Sequence, residues 1–158
     1  MRLKGISVVM TLALILLISS VAAFSDTISD PTAGTIRAKL APVGIPGYPP
    51  VDPDAHGNVI INYVKGQDRF EIQANVVKLD PGAAYAVFVY LPHTTGQELG
   101  IFTTDQNGNG HLHVTWTGDI QSFDRVNIRT PVSGDTAVLT SLEAYGGSLR
   151  QSPSKRSK

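Results

Sequence analysis

Asn58-Val-Ile-Ile-Asn-Tyr-Val-Lys-Gly-Gln-Asp-Arg-Phe-Glu-Ile-Gln-Ala-Asn-Val76 carries the clearest structural signal in the chain. From Arg69 onward polar and apolar residues alternate, so Phe70, Ile72, Ala74 and Val76 share one face of an extended chain. Period two marks a strand with one buried face. Asn58 to Val64 is apolar enough for a second strand, and Lys65-Gly-Gln-Asp68 between them is rich in turn formers. Two such runs joined by a short, glycine-containing turn predict an antiparallel hairpin.

The same grammar extends in both directions. Upstream, Thr35-Ile-Arg-Ala-Lys-Leu40 puts Ile36, Ala38 and Leu40 on one face, and the proline-rich segment Pro42 to Pro53 must be a loop because proline cannot donate to a ladder. Downstream, Leu79-Asp-Pro-Gly82 is a turn. The next strand carries Tyr85, Val87, Val89 and Leu91 on one face and Phe88 and Tyr90 on the other. Leu99 to Thr104 and His111 to Thr117 flank Asp105-Gln-Asn-Gly-Asn-Gly110 as a further hairpin, and Arg125 to Ile128 and Thr136 to Thr140 complete about eight strands. Regular short strands with turn signals predict an all-β fold, a Greek-key β-sandwich such as the immunoglobulin-like one or a Greek-key barrel.

Composition agrees. The 158 residues suit one domain, and thirteen Lys+Arg balance thirteen Asp+Glu, which argues against a nucleic-acid binder. There is no cysteine, hence no disulfide framework and no thiolate chemistry.

Arg2 and Lys4 precede an uncharged run from Gly5 to Ala23 that ends in small residues, the order of a secretory signal. A cut after Ala23 removes both leading cations and leaves a net charge of −2 on eleven bases and thirteen acids. The run is also near the roughly 20 residues that span a bilayer, so residues 5–23 form a membrane anchor if they are not removed. The Lys4-Gly5 junction resembles a type IV pilin-type signal, which implies a filament subunit that keeps its apolar helix. All three readings send the body out of the cytoplasm. The expected organisation is a signal or anchor at 1–23, a linker at 24–34, a sandwich at 35–145 and a disordered basic tail at 146–158.

Three motifs together resemble the Cu/Zn superoxide dismutase-like sandwich, a group that includes metal-free chordin-type repeats. They are Val77-Lys-Leu-Asp-Pro-Gly82, Leu99-Gly-Ile-Phe-Thr-Thr-Asp-Gln-Asn-Gly-Asn-Gly110, and Val126-Asn-Ile-Arg129. The resemblance spans roughly Ile36 to Thr140 and implies architecture. Where dismutases place copper histidines, this chain has Val87, Val89 and Arg129. Arg150 is similar in place to the family's active-site arginine. Valine has no lone pair to offer a metal, so the resemblance implies a non-enzymatic relative without cofactor.

Other chemistry is weighed residue by residue. His111 and His113 lie two apart on one strand and point to the same side, a spacing metal sites on sheets use, with His93 as a third ligand if its loop folds back. Thr115 and Thr117 share that side and mark it as a solvated face. His56 has no such neighbour. Asp105-Gln-Asn-Gly-Asn-Gly110 begins like a calcium loop, but its twelfth position is Trp116, and Asn-Gly pairs suit a hairpin turn. No Gly-x-Ser-x-Gly elbow or phosphate-binding glycine loop occurs, and nothing singles out a carboxylate pair.

What remains is Phe88 and Tyr90, large aromatics opposite the expected core face. The expectation is an exported, non-enzymatic domain that binds a protein or cell-envelope component through them. A metal-binding dismutase-like protein using His93, His111 and His113 is the second reading, and a pilin-like subunit the third.

Overall fold

The computed structural model describes residues 27–44, 53–90, 96–120, 122–130 and 137–153. Within them the chain is all-β, with strands β1 (Gly34–Pro42), β2 (His56–Val64), β3 (Arg69–Val77), β4 (Ala84–Tyr90), β5 (Gly96–Thr103), β6 (Gly110–Thr117), β7 (Arg125–Arg129), β8 (Ala137–Thr140) and β9 (Ser148–Pro153). Neighbours are antiparallel in the order β5-β4-β7-β8-β1-β2-β3-β6. The path is nearly closed, because β5 at one end packs beside β6 at the other.

The register follows the alternation read from the sequence. In the β2–β3–β6 ladder, Ile61, Ile72 and Val114 lie abreast, as do Tyr63, Phe70 and Trp116. Ile36, Leu40, Ile61, Ile72, Tyr85, Val87, Val89, Phe123, Val126, Ile128 and Leu139 are almost wholly buried in one core. Burial of apolar surface on this scale is the dominant favourable term in folding.

β1 is where the sheet changes direction. Its inner edge pairs with β2 over Thr35 to Leu40. Its other edge is divided, with β9 along Gly34 to Lys39 and β8 at Ala41 and Pro42.

Both expected domain margins need correction. The segment from Gly146 was expected to be a disordered tail, yet Ser148–Pro153 is a strand with Leu149 buried in the core. A lone apolar residue gives no stripe to detect, and the pairing comes from the free edge of β1. The expected linker also packs on the domain over its described part. Ile28 is buried and exchanges both backbone hydrogen bonds with Phe123, and a 3-10 turn at Pro31–Ala33 leads into β1 with Asp30 capping it. The signal or anchor at 1–23, the loop residues 45–52 and the last five residues lie outside the described residues.

Two turns clasp each other at one end of the core. Thr104 is buried, and its hydroxyl donates to the Asp80 carbonyl (2.6 Å) while accepting from the Ala83 N–H (3.1 Å). Leu79 N–H donates to the Gly108 carbonyl at 3.1 Å. Gly108 has φ +76°, and a Cβ there would sit 2.1 Å from the Leu79 carbonyl oxygen. Only glycine meets both demands.

Candidate functional site

The two aromatics are positioned by strand parity. Tyr85, Val87 and Val89 of β4 enter the core, so Phe88 and Tyr90 project from the opposite side of the sheet, where both are half-buried. Pairing of β4 with β7 sets Phe88 opposite Asn127, and Tyr90 opposite Arg125, with Arg129 opposite Ala86. Val126 and Ile128 face the core, so Arg125, Asn127 and Arg129 line up beside the aromatics.

The side chains form a stack. The Phe88 and Tyr90 rings are 6.1 Å apart at 33°. The Arg125 guanidinium lies 5.0 Å from the Tyr90 ring centre, and that of Arg129 lies 5.5 Å from both rings and donates to the Tyr90 hydroxyl. Each cation–π contact of this kind contributes about 0.5–1 kcal/mol at a partly exposed site. Asp124 carries a carboxylate oxygen 3.7 Å from the Arg125 Nε. On the far side, the Tyr90 ring lies flat over Gly96 of β5, where a Cβ would come within 2.6 Å of the ring. A glycine is therefore needed at that position for the stack to close over β5.

Asn127 lies opposite Phe88 with only 8% of its surface exposed, and its side-chain oxygen has no hydrogen-bond partner among the described residues. A buried acceptor without a donor is uncommon and costs stability. On the same side β5 shows Ile101, at 53% the most exposed large apolar residue among those described. Tyrosine and arginine are among the residues enriched in protein-binding hot spots.

The remaining candidates fall elsewhere. His111 and His113 are exposed on the outer face of β6, opposite Asn75 and Gln73 of β3, and the Nδ1–H of His111 donates to Asn75 Oδ1 at 2.8 Å. His56 directs Nδ1 to the Asp54 carbonyl (2.7 Å). His93 lies outside the described residues. Among the described residues no three His, Asp or Glu side chains gather as a metal site. The three positions matched to copper ligands diverge, with Val87 and Val89 in the core and Arg129 on the other side of the same sheet. Arg150 is exposed on β9, opposite Arg37.

The loop at Asp105 is a self-satisfied turn. Its carboxylate accepts from the backbone N–H groups of Asn107 and Asn109 (both 2.8 Å) and from the Asn109 side chain (3.1 Å). The Asn109 N–H, ahead of the other bonds, holds this carboxyl below its ordinary value. Its lone pairs already serve the hairpin.

Arg125, Asn127 and Arg129 were not singled out from sequence as companions of Phe88 and Tyr90. Their alternation with Val126 and Ile128 was visible; the partnership of β7 with β4, more than thirty residues away, was not. The chain matches no protein-family model, and no curated protein is significantly similar to it.

Proposed function

We propose that this chain is an exported, non-enzymatic Greek-key β-sandwich domain that binds a protein or cell-envelope component through the outer face of β4 and β7. The observation that carries the reading is the stack of Phe88, Tyr90, Arg125 and Arg129 on the same sheet face as the exposed Ile101. A partner that lays an apolar group against the half-buried rings and a carboxylate or carbonyl near the two guanidinium groups uses both chemistries of this face. The charged start, apolar run and small-residue end of residues 1–23 support export.

The test has two parts. Mass spectrometry of the chain recovered from its source should find a mature start near Phe24, whereas a start at Ile6 would favour the pilin-like subunit. A photo-reactive phenylalanine at position 88 should cross-link one saturable partner that the same probe at Ile60 of β2, three strands beyond β7 in the sheet order, does not reach. Identical products from both positions would overturn the assignment of the face.

A further inference from the structure

We propose that the cleft where β1 begins is a binding site for an acidic oligosaccharide, a ligand that carries an oxyanion on a polyhydroxylated ring. The site is separate from the aromatic face of β4 and β7. A cleft of roughly 640 Å³ is lined by Thr32, Gly34, Thr35, Arg37, Tyr63, Lys65, Ser152 and Pro153. That volume is in the range of small-ligand sites.

Its chemistry is one-sided. Arg37 and Lys65 are both exposed, and among the described residues no carboxylate lines the cleft and neither cation takes part in an ion pair. Thr35 and Ser152 stand directly opposite each other across the β1–β9 pair and add two hydroxyls to the lining. An anion here meets two charge-assisted donors, which are among the stronger hydrogen bonds a protein surface offers.

The neighbouring cleft, roughly 470 Å³, has the opposite character. It is lined by Thr32, Tyr63, Asp68, Phe70, Gly118 and Asp119 and contains no cation. Thr32 and Tyr63 belong to both clefts, so a basic and an acidic compartment meet at one tyrosine. The Tyr63 hydroxyl donates to Asp68 Oδ1 at 2.9 Å, and its ring packs 5.2 Å from Phe70, which fixes the tyrosine between the two. A simple inorganic anion uses the basic compartment alone and is repelled by Asp68 and Asp119. A sugar acid uses both, with its oxyanion between Arg37 and Lys65 and its ring hydroxyls donating to the two carboxylates. Carboxylate acceptors for hydroxyls and a tyrosine for a ring face separate this ligand class from phosphate.

Two-dimensional NMR titration of the mature chain tests the assignment. Oligogalacturonate and a sulfated heparin-derived oligosaccharide are the acidic probes, cellotetraose the neutral ring control, and inorganic phosphate the plain anion. The expected result is saturable shifts of the Thr35, Lys65 and Gly118 amides with at least one acidic saccharide, and which one responds tells carboxylate from sulfate. Cellotetraose and phosphate should bind about tenfold or more weakly. Arg37→Ala and Lys65→Ala should each weaken binding roughly tenfold, while Phe88→Ala leaves it unchanged. Both substituted cations are exposed, so the variants should fold. Absence of saturable shifts with either acidic saccharide, phosphate binding as tightly as the saccharide, or indifference to Arg37→Ala would each overturn the proposal.

Discussion

Gly108→Ala probes the clasp between the two turns, and Gly66→Ala is its internal control. Gly66 (φ +84°) and Gly108 (φ +76°) share the left-handed conformation, so alanine costs about 1 kcal/mol at either for backbone strain. The gain from a stiffer unfolded chain is also common to both and cancels. The surroundings differ. Nothing lies within 4 Å of a Cβ at Gly66, whereas at Gly108 the Leu79 carbonyl oxygen is 2.1 Å away and belongs to the backbone. No rotamer change relieves that overlap. The two turns must part, and the bond from Leu79 N–H to the Gly108 carbonyl goes with them, a further loss of about 1 kcal/mol. Displacing the packed Leu79 turn brings the total for Gly108→Ala to about 3 kcal/mol or more. The gap between the two variants is therefore about 2 kcal/mol. At a urea slope of roughly 1.5 kcal/mol/M, the midpoint of Gly108→Ala should fall about 1 M or more below that of Gly66→Ala. Equal midpoints would show that the two turns do not clasp.

Thr104→Val keeps shape but removes a buried hydroxyl with two partners, and should cost about 1–3 kcal/mol in urea melts, with Thr104→Ser clearly milder. Leu149→Ala should cost about 2–3 kcal/mol because β9 is part of the domain, whereas a disordered tail would show no change. Asp105 links stability to acid. Its folded pKa lies below that of the unfolded chain, so its contribution is complete above the unfolded value of about 3.9 and is lost as pH falls through the folded one. Chemical melts from pH 6 to 2.5 should therefore show a shallower acid loss for Asp105→Ala than for the parent chain.

Much of the fold was legible because period two survives even where register is unknown. Phe70, Ile72, Ala74 and Val76 alternate with polar residues and all four are buried. Parity also placed Phe88 and Tyr90 opposite Val87 and Val89, since on one strand side chains can only alternate. What a single strand cannot announce is its neighbour. The arginines over Phe88 and Tyr90 come from β7, and Arg37 and Lys65 meet Ser152 only because β9 returns to β1. β9 itself was hidden for a physical reason. An edge strand with one inward residue, Leu149, is held mainly by backbone hydrogen bonds, which leave no hydrophobic trace in the sequence.

The proposed meeting place of this domain with its partner is the outer face of β4 and β7. Its most direct test is the affinity of the folded, mature chain for envelope preparations of its source, measured for the parent and for Phe88→Ser/Tyr90→Ser at matched thermal stability. Truncating paired hot-spot residues costs about 2 kcal/mol or more, so saturable binding by the parent should weaken about thirtyfold or more in the double variant. Undiminished affinity in a folded double variant would contradict the account.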